Sequence, residues 1–161
     1  MKMKKIVTLL ILFFGYICFS AEKYVQVPIT GGFGINLGSM FDSQMEVKLK
    51  ATRAKYDDDT VGYKVVPPKP LNPFNSYTIF LTKTKKIYKI QAICIDLNPK
   101  NAFSHALYIF QQKYGNVTNP GTDLIYIDQK NPSRSIRISL GEAFAAIQYI
   151  DTSMNDKNDD I

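Results

Sequence analysis

The chain has a single histidine and two cysteines in 161 residues. With His105 as the only imidazole, a serine or cysteine triad would have to recruit that one side chain, and a tetrahedral zinc site has too few His and Cys ligands to draw on. Basic residues exceed acidic ones only modestly, 20 Lys and Arg against 14 Asp and Glu. There is no dense cationic stripe and no recognition motif, so nucleic acid is not an expected partner. No cofactor or metal is implied, and no catalytic residue is assigned.

What is present begins with an export signal. Lys2, Lys4 and Lys5 precede an apolar run from Ile6 to Phe19 that ends in Cys18-Phe19-Ser20-Ala21, and this order reads as a signal peptide over 1–20. Cys18 and Ser20 suit the small-residue sites, which puts cleavage between Ser20 and Ala21, with the bond after Ala21 as second choice. As a helix the run would measure about 21 Å against a hydrocarbon core of about 30 Å, which argues against a retained anchor. Gly15-Tyr16-Ile17 places a bulky residue where lipid attachment at Cys18 needs a small one. The expected location is therefore periplasmic or secreted. Loss of the three lysines lowers the formal charge from +6 to +3 and leaves Cys94 without a disulfide partner. Cys94 alternates with Tyr88, Ile90 and Ala92, so it is expected to be buried in a strand. Residues 21–150 are expected to form one domain, and 151–161 a polar, acidic tail that frays.

The clearest local signal is helical. In the stretch 98–115, Phe103, Leu107, Phe110 and Tyr114 share one face with Ala106, while His105, Tyr108 and Gln112 point away. Asn98 suits the N-cap, Pro99 the first turn, Lys113 the last turn, and Gly115 a left-handed residue after it. Asn101 is an alternative cap, and Leu97 could staple onto Ala102.

Strands flank that helix. Tyr63 to Val66 leads into a proline-rich connection, Pro67 to Pro73, and Tyr77–Thr82 and Ile87–Ile95 form a hairpin around Lys83-Thr84-Lys85. After the helix come Leu124–Asp128, a turn at Asn131-Pro132, Ser135–Leu140, a turn at Gly141-Glu142 using positive φ at the glycine, and Phe144–Ile150. The expectation is an α+β fold in two layers, a mainly antiparallel sheet with one principal helix at about 99–114 on one face, in the order β-β-β-α-β-β-β.

Alternation then divides the strands. Ile79, Leu81, Tyr88, Ile90, Ile136, Ile138, Ile147 and Tyr149 are assigned to the helix side. Thr78, Lys89, Gln91, Ser135, Arg137, Ser139 and Gln148 are assigned to the other side, with Phe80, Ile93 and Ile95 as its apolar members. Hydroxyl, amide and basic groups among large apolar ones suit a protein or peptide contact, although a half-solvated sheet has a similar composition. Thr78, Phe80, Lys89, Gln91, Ile93 and Arg137 are the candidate partner-binding residues.

Residues 22–61 carry weaker signals. Gly31, Gly32, Gly34 and Gly38 miss the spacing of a phosphate loop and read instead as a short strand with Phe33, Ile35 and Leu37 alternating and a turn at Gly38. Met45 to Ala51 reads as a half-buried strand, or as a short helix carrying Phe41, Met45 and Leu49. Asp57-Asp58-Asp59 is unlike a calcium loop, whose ligands alternate, and reads as solvated. Asp96, Asp123, Asp128, Glu142 and Asp151 fall at turns and strand ends, where capping and solvation are the common roles. Asn116-Val117-Thr118 matches a glycosylation sequon but is given no weight beside a bacterial-looking leader.

Phe33-Gly34-Ile35-Asn36-Leu37-Gly38, Ile87 to Ala92, Lys113-Tyr114-Gly115 and Ile147 to Asp151 together resemble a group of small exported bacterial proteins of uncharacterised function. The resemblance implies a periplasmic or secreted domain and brings no active-site residue with it. Two functions remain: a non-enzymatic module binding a protein or peptide through the open sheet face, or a small-molecule binder or hydrolase with a site between Gly31–Gly38 and the sheet.

Overall fold

The computed structural model describes residues 20–56, 61–95 and 98–154. Residues 1–19, with most of the expected signal peptide, residues 57–60, Asp96, Leu97 and the chain beyond Met154 lie outside the described residues. In chain order the elements are β1 (Ala21–Val25), β2 (Gly31–Gly32), β3 (Ile35–Asn36), α1 (Ser43–Lys48), β4 (Thr52–Lys55), β5 (Val61–Lys64), β6 (Ser76–Leu81), β7 (Ile87–Ile95), α2 (Pro99–Tyr114), β8 (Asp123–Asp128), β9 (Arg134–Leu140) and β10 (Phe144–Asp151), followed by a 3-10 turn at Thr152–Met154.

Eight of these strands form one sheet in the order β1-β8-β9-β10-β7-β6-β5-β4. Every neighbouring pair is antiparallel except β1 with β8, which is parallel. The α+β class and the helix at 99–114 are as expected, but the strand sequence is not. The N-terminal part supplies an edge strand, a small hairpin, a short helix and β4, of which the sequence offered only the short helix, as an alternative to a strand, and a single short strand where the hairpin lies. Met45 to Ala51 resolves to α1: Asp42 accepts a hydrogen bond from the Met45 N–H at 2.8 Å, and the helix stops at Leu49.

The helix α2 lies over β9, β10 and β7. Ala102 and Ala106 let its backbone approach the sheet, while Phe103, Phe110 and Tyr114 fill the space between. Burial of each phenylalanine contributes about 1.5–3 kcal/mol. Leu107, expected in that stripe, is half-buried at its margin, and His105 is exposed. The helix ends differ from expectation in detail. Asn98 occupies the cap position but its side chain makes no capping hydrogen bond, and Gly115 adopts φ 87, ψ 158, an extended region open to glycine rather than the left-handed helical one.

The rest of that face is covered by the N-terminal segment. Ile29, Ile35, Leu37, Phe41 and Leu49 join Ile79, Ile90, Ile147 and Phe110 in a single buried cluster. The β2–β3 hairpin turns at Phe33 and Gly34, both with positive φ (57° and 81°), so the turn falls within the stretch read as a strand. Phe33 is edge-on between Tyr77 (5.1 Å between ring centroids) and Tyr149 (5.6 Å). Gly32 makes this possible, since a Cβ there would lie 2.2 Å from the Tyr149 ring. Residues 38–41 are stitched to the β6–β7 hairpin by hydrogen bonds from the Gly38 N–H to the Ile87 carbonyl (2.8 Å) and from the Phe41 N–H to the Lys85 carbonyl (2.8 Å).

Two strand assignments need correction. The β6–β7 register shifts between Phe80 and Leu81, so that Phe80 opposes Lys89 and Leu81 opposes Ile87, and Tyr88 is left without an opposite number. Tyr88 thereby turns to the open face, with its ring 6.5 Å from that of Phe80, instead of joining the helix side. Gly141 does not use positive φ. It is small because the Phe144 ring crosses it, a Cβ at Gly141 meeting that ring at 2.5 Å.

Candidate functional site

Cross-strand register places the candidate residues on the face opposite α2. One rung runs Glu22, Ile125, Arg137, Gln148, Gln91, Thr78, Lys64 and Thr52 from β1 to β4. The adjacent rung runs Tyr24, Ile127, Ser135, Ile150, Lys89, Phe80, Gly62 and Ala54. On the other side of the first lie Asp123, Ser139, Ala146, Ile93 and Ser76, and then Phe144 beside Ile95.

Between β7, β10 and β9 this face is hollowed into an open trough of about 550 Å³. The hollow exists because Ala146, Ala143 and Gly141 are small where their neighbours Ile93, Ile95 and Phe144 are large. Ile95 is 69% exposed and Phe144 43%, which is unusual for side chains of that size on a strand. The other end of the trough is polar. Gln148 Nε2 donates to the Gln91 side-chain Oε1 at 3.3 Å, and Arg137 makes a two-point contact with Asp123, Nε to Oδ1 at 2.8 Å and Nη2 to Oδ2 at 2.7 Å. That fork fixes the guanidinium plane while leaving 49% of the Arg137 side chain exposed.

The six candidate residues separate into two groups. Gln91, Ile93 and Arg137 line the trough. Thr78 and Phe80 are only 5% and 6% exposed, because Tyr56 lies over them. Its hydroxyl is 3.0 Å from the Thr78 Oγ1 and its ring 5.3 Å from that of Phe80. Gly62 leaves the room, a Cβ there meeting the Tyr56 ring at 2.7 Å. Lys89 belongs with this second group, its Nζ 4.8 Å from the Phe80 centroid. Burial pushes the Tyr88 phenol above its ordinary pKa. Phe144 and Ala146 are site residues the sequence reading omitted. Their alternation with Gln148 along β10 was the available signal.

Of the carboxylates at turns and strand ends, Asp123, Asp128 and Asp151 are buried rather than solvated, Glu142 is exposed, and Asp96 lies outside the described residues. Asp128 accepts hydrogen bonds from the N–H groups of Ile29 (2.9 Å), Lys130 (2.9 Å) and Asn131 (3.1 Å). Burial alone would raise its pKa, but those three donors and the nearby Arg134 hold it below the usual carboxylate range. Asp151 accepts from Arg134 Nε at 2.8 Å, from the Ser133 hydroxyl, and from the Ser153 backbone and hydroxyl. Against the effect of burial these donors also lower its pKa. Both groups are engaged in holding turns together. Among the described residues no three His, Cys, Asp or Glu side chains gather as metal ligands would.

The alternative site, between Gly31–Gly38 and the sheet, is occupied by the segment's own side chains: Ile35 and Leu37 are buried and Phe33 is wedged between two tyrosines. Among the described residues no helix is long and apolar enough to cross a membrane. No family model, no curated protein and no solved structure matches the chain. The resemblance to small exported bacterial proteins therefore rests on the quoted motifs alone.

Proposed function

We propose that this chain is an exported, non-enzymatic module, periplasmic or secreted, that binds a protein or peptide through the open face of its sheet. The observation that carries the reading is the trough, where Ile95 and Phe144 stand exposed beside a floor of small residues and a fixed Arg137. A contiguous patch of large apolar side chains on a free surface favours association with a partner that covers it, and a polar rim gives that partner its orientation. The leader at 1–20 supports the location. The small-molecule reading has less support, since the cleft it requires is filled.

The test is site-specific photocrosslinking in living cells. A crosslinker in place of Ile95 should trap a discrete partner, while one in place of His105, on the exposed side of α2, should trap none. Equal yields from both positions would refute the proposal. Fractionation of the tagged chain tests the location, and recovery with cytoplasmic markers would count against export.

A further inference from the structure

We infer that the open sheet face pairs with the same face of a second copy of this chain, about a twofold axis running along β10. The inference rests on the reading of this face as a protein-contact surface and names the partner. It follows from how charge and size are laid out across the rungs.

In the rung from Glu22 to Lys64, β10 is the middle strand, with three strands on either side. Rotation by 180° about that strand turns the rung over onto itself. Gln148 then meets Gln148 of the second copy, Arg137 meets Gln91, Ile125 meets the Tyr56 side chain that lies over Thr78, and Glu22 meets Lys64. In the neighbouring rung Ile150 meets itself, Ser135 meets Lys89, and Ile127 meets the Tyr56 ring that covers Phe80. Neither rung sets one cation against another, and the one unlike pair occurs twice, once at each end, as an isologous contact requires. Other placements do worse. An axis along β9 would set Arg137 against Arg137, and one along β7 would set Lys89 against Lys89.

The area is also appropriate. Seven overlapping strands about 4.8 Å apart and about 20 Å long present roughly 700 Å² per copy, close to the roughly 800 Å² per partner of a standard stable interface. Ile93, Ile95, Ile125, Ile127, Ile150 and Phe144 supply the apolar part, all of them half-buried or exposed in the single chain. Sheets stack about 10 Å apart, a gap that pairs of isoleucines fill and that a glutamate and a lysine bridge at the edges.

Analytical ultracentrifugation of the purified protein across micromolar to millimolar concentrations tests this. A monomer–dimer equilibrium is expected, weakened about tenfold by either Glu22→Lys or Lys64→Glu, because each substitution places like charges at both ends. The double variant should restore it, and circular dichroism melting checks that all three fold. Gln148→Cys, on the axis, should be joined to itself by a bis-maleimide of about 10 Å span, whereas Thr52→Cys should not. A chain monomeric throughout, or a dimer indifferent to both charge substitutions, would overturn the inference. If that monomer is still trapped from position 95 by a different protein, the interaction reading survives and only the second copy is refuted.

Discussion

The two faces of the sheet have been treated in opposite ways by the same strands. On the helix side the central strands present packed side chains: Ile79, Ile90, Ile136, Ile138 and Ile147 are all fully buried, and Phe33, Tyr77, Tyr149, Phe110 and Tyr126 form a continuous run of ring contacts among them. On the open side similar residue types stand half in water. Isoleucine on both faces shows that hydrophobicity alone does not decide which side of a sheet becomes core. What decides it is which side the connections cross, and here α2 and the segment 29–49 both cross on one side.

Several substitutions would sharpen or break that contrast. Phe110→Ala should be the most damaging, because it empties a site between α2 and two tyrosines; about 3–5 kcal/mol is expected in a denaturant titration. A loss below about 1 kcal/mol would mean the helix is not anchored there. Gly32→Ala should cost about 1–3 kcal/mol by forcing the hairpin away from the Tyr149 ring, and no change in melting temperature would show that the hairpin is not seated as described.

Acid should act next. Asp128 and Asp151 titrate lower in the folded chain than in the unfolded one. Their contribution is complete above the unfolded value of about 4 and is lost as pH falls through the folded values. Stability should therefore be level from pH 7 to 5 and decline below about 4, with a shallower decline in Asp128→Asn. An identical acid profile for that variant would exclude Asp128 as a source. The smallest effect is expected from Ile95→Ser and Phe144→Ser, within about 0.5 kcal/mol of the parent. A loss comparable to that of Phe110→Ala would show that the open face is core after all.

The sequence made the second half of the molecule legible because its elements are long enough to show a period. The helix bounds 99–114 and the strand bounds 87–95 were readable from spacing and caps, and the buried residues of α2, except Leu107, and of the long strands, except Tyr88, could be named one by one. The first half was not readable in this way. A six-residue helix and two-residue strands give no periodicity, and their positions depend on partners remote in sequence, Ile29 on Asp128 and Phe33 on Tyr149. The register slip that turns Tyr88 outward is equally invisible, since strict alternation assigns it to the core. At the trough, Gln91, Ile93 and Arg137 were found by alternation, whereas the covering of Thr78 and Phe80 by Tyr56 depends on a strand that was not foreseen.

The parallel pairing of β1 with β8 has a consequence for how the chain matures. Ala21 sits beside Leu124, and Ile29 is held by Asp128. The strand β1 thus has no native strand partner until about a hundred more residues have followed. Such distant closures slow folding, so β1 waits unpaired while the chain as far as β8 is synthesised.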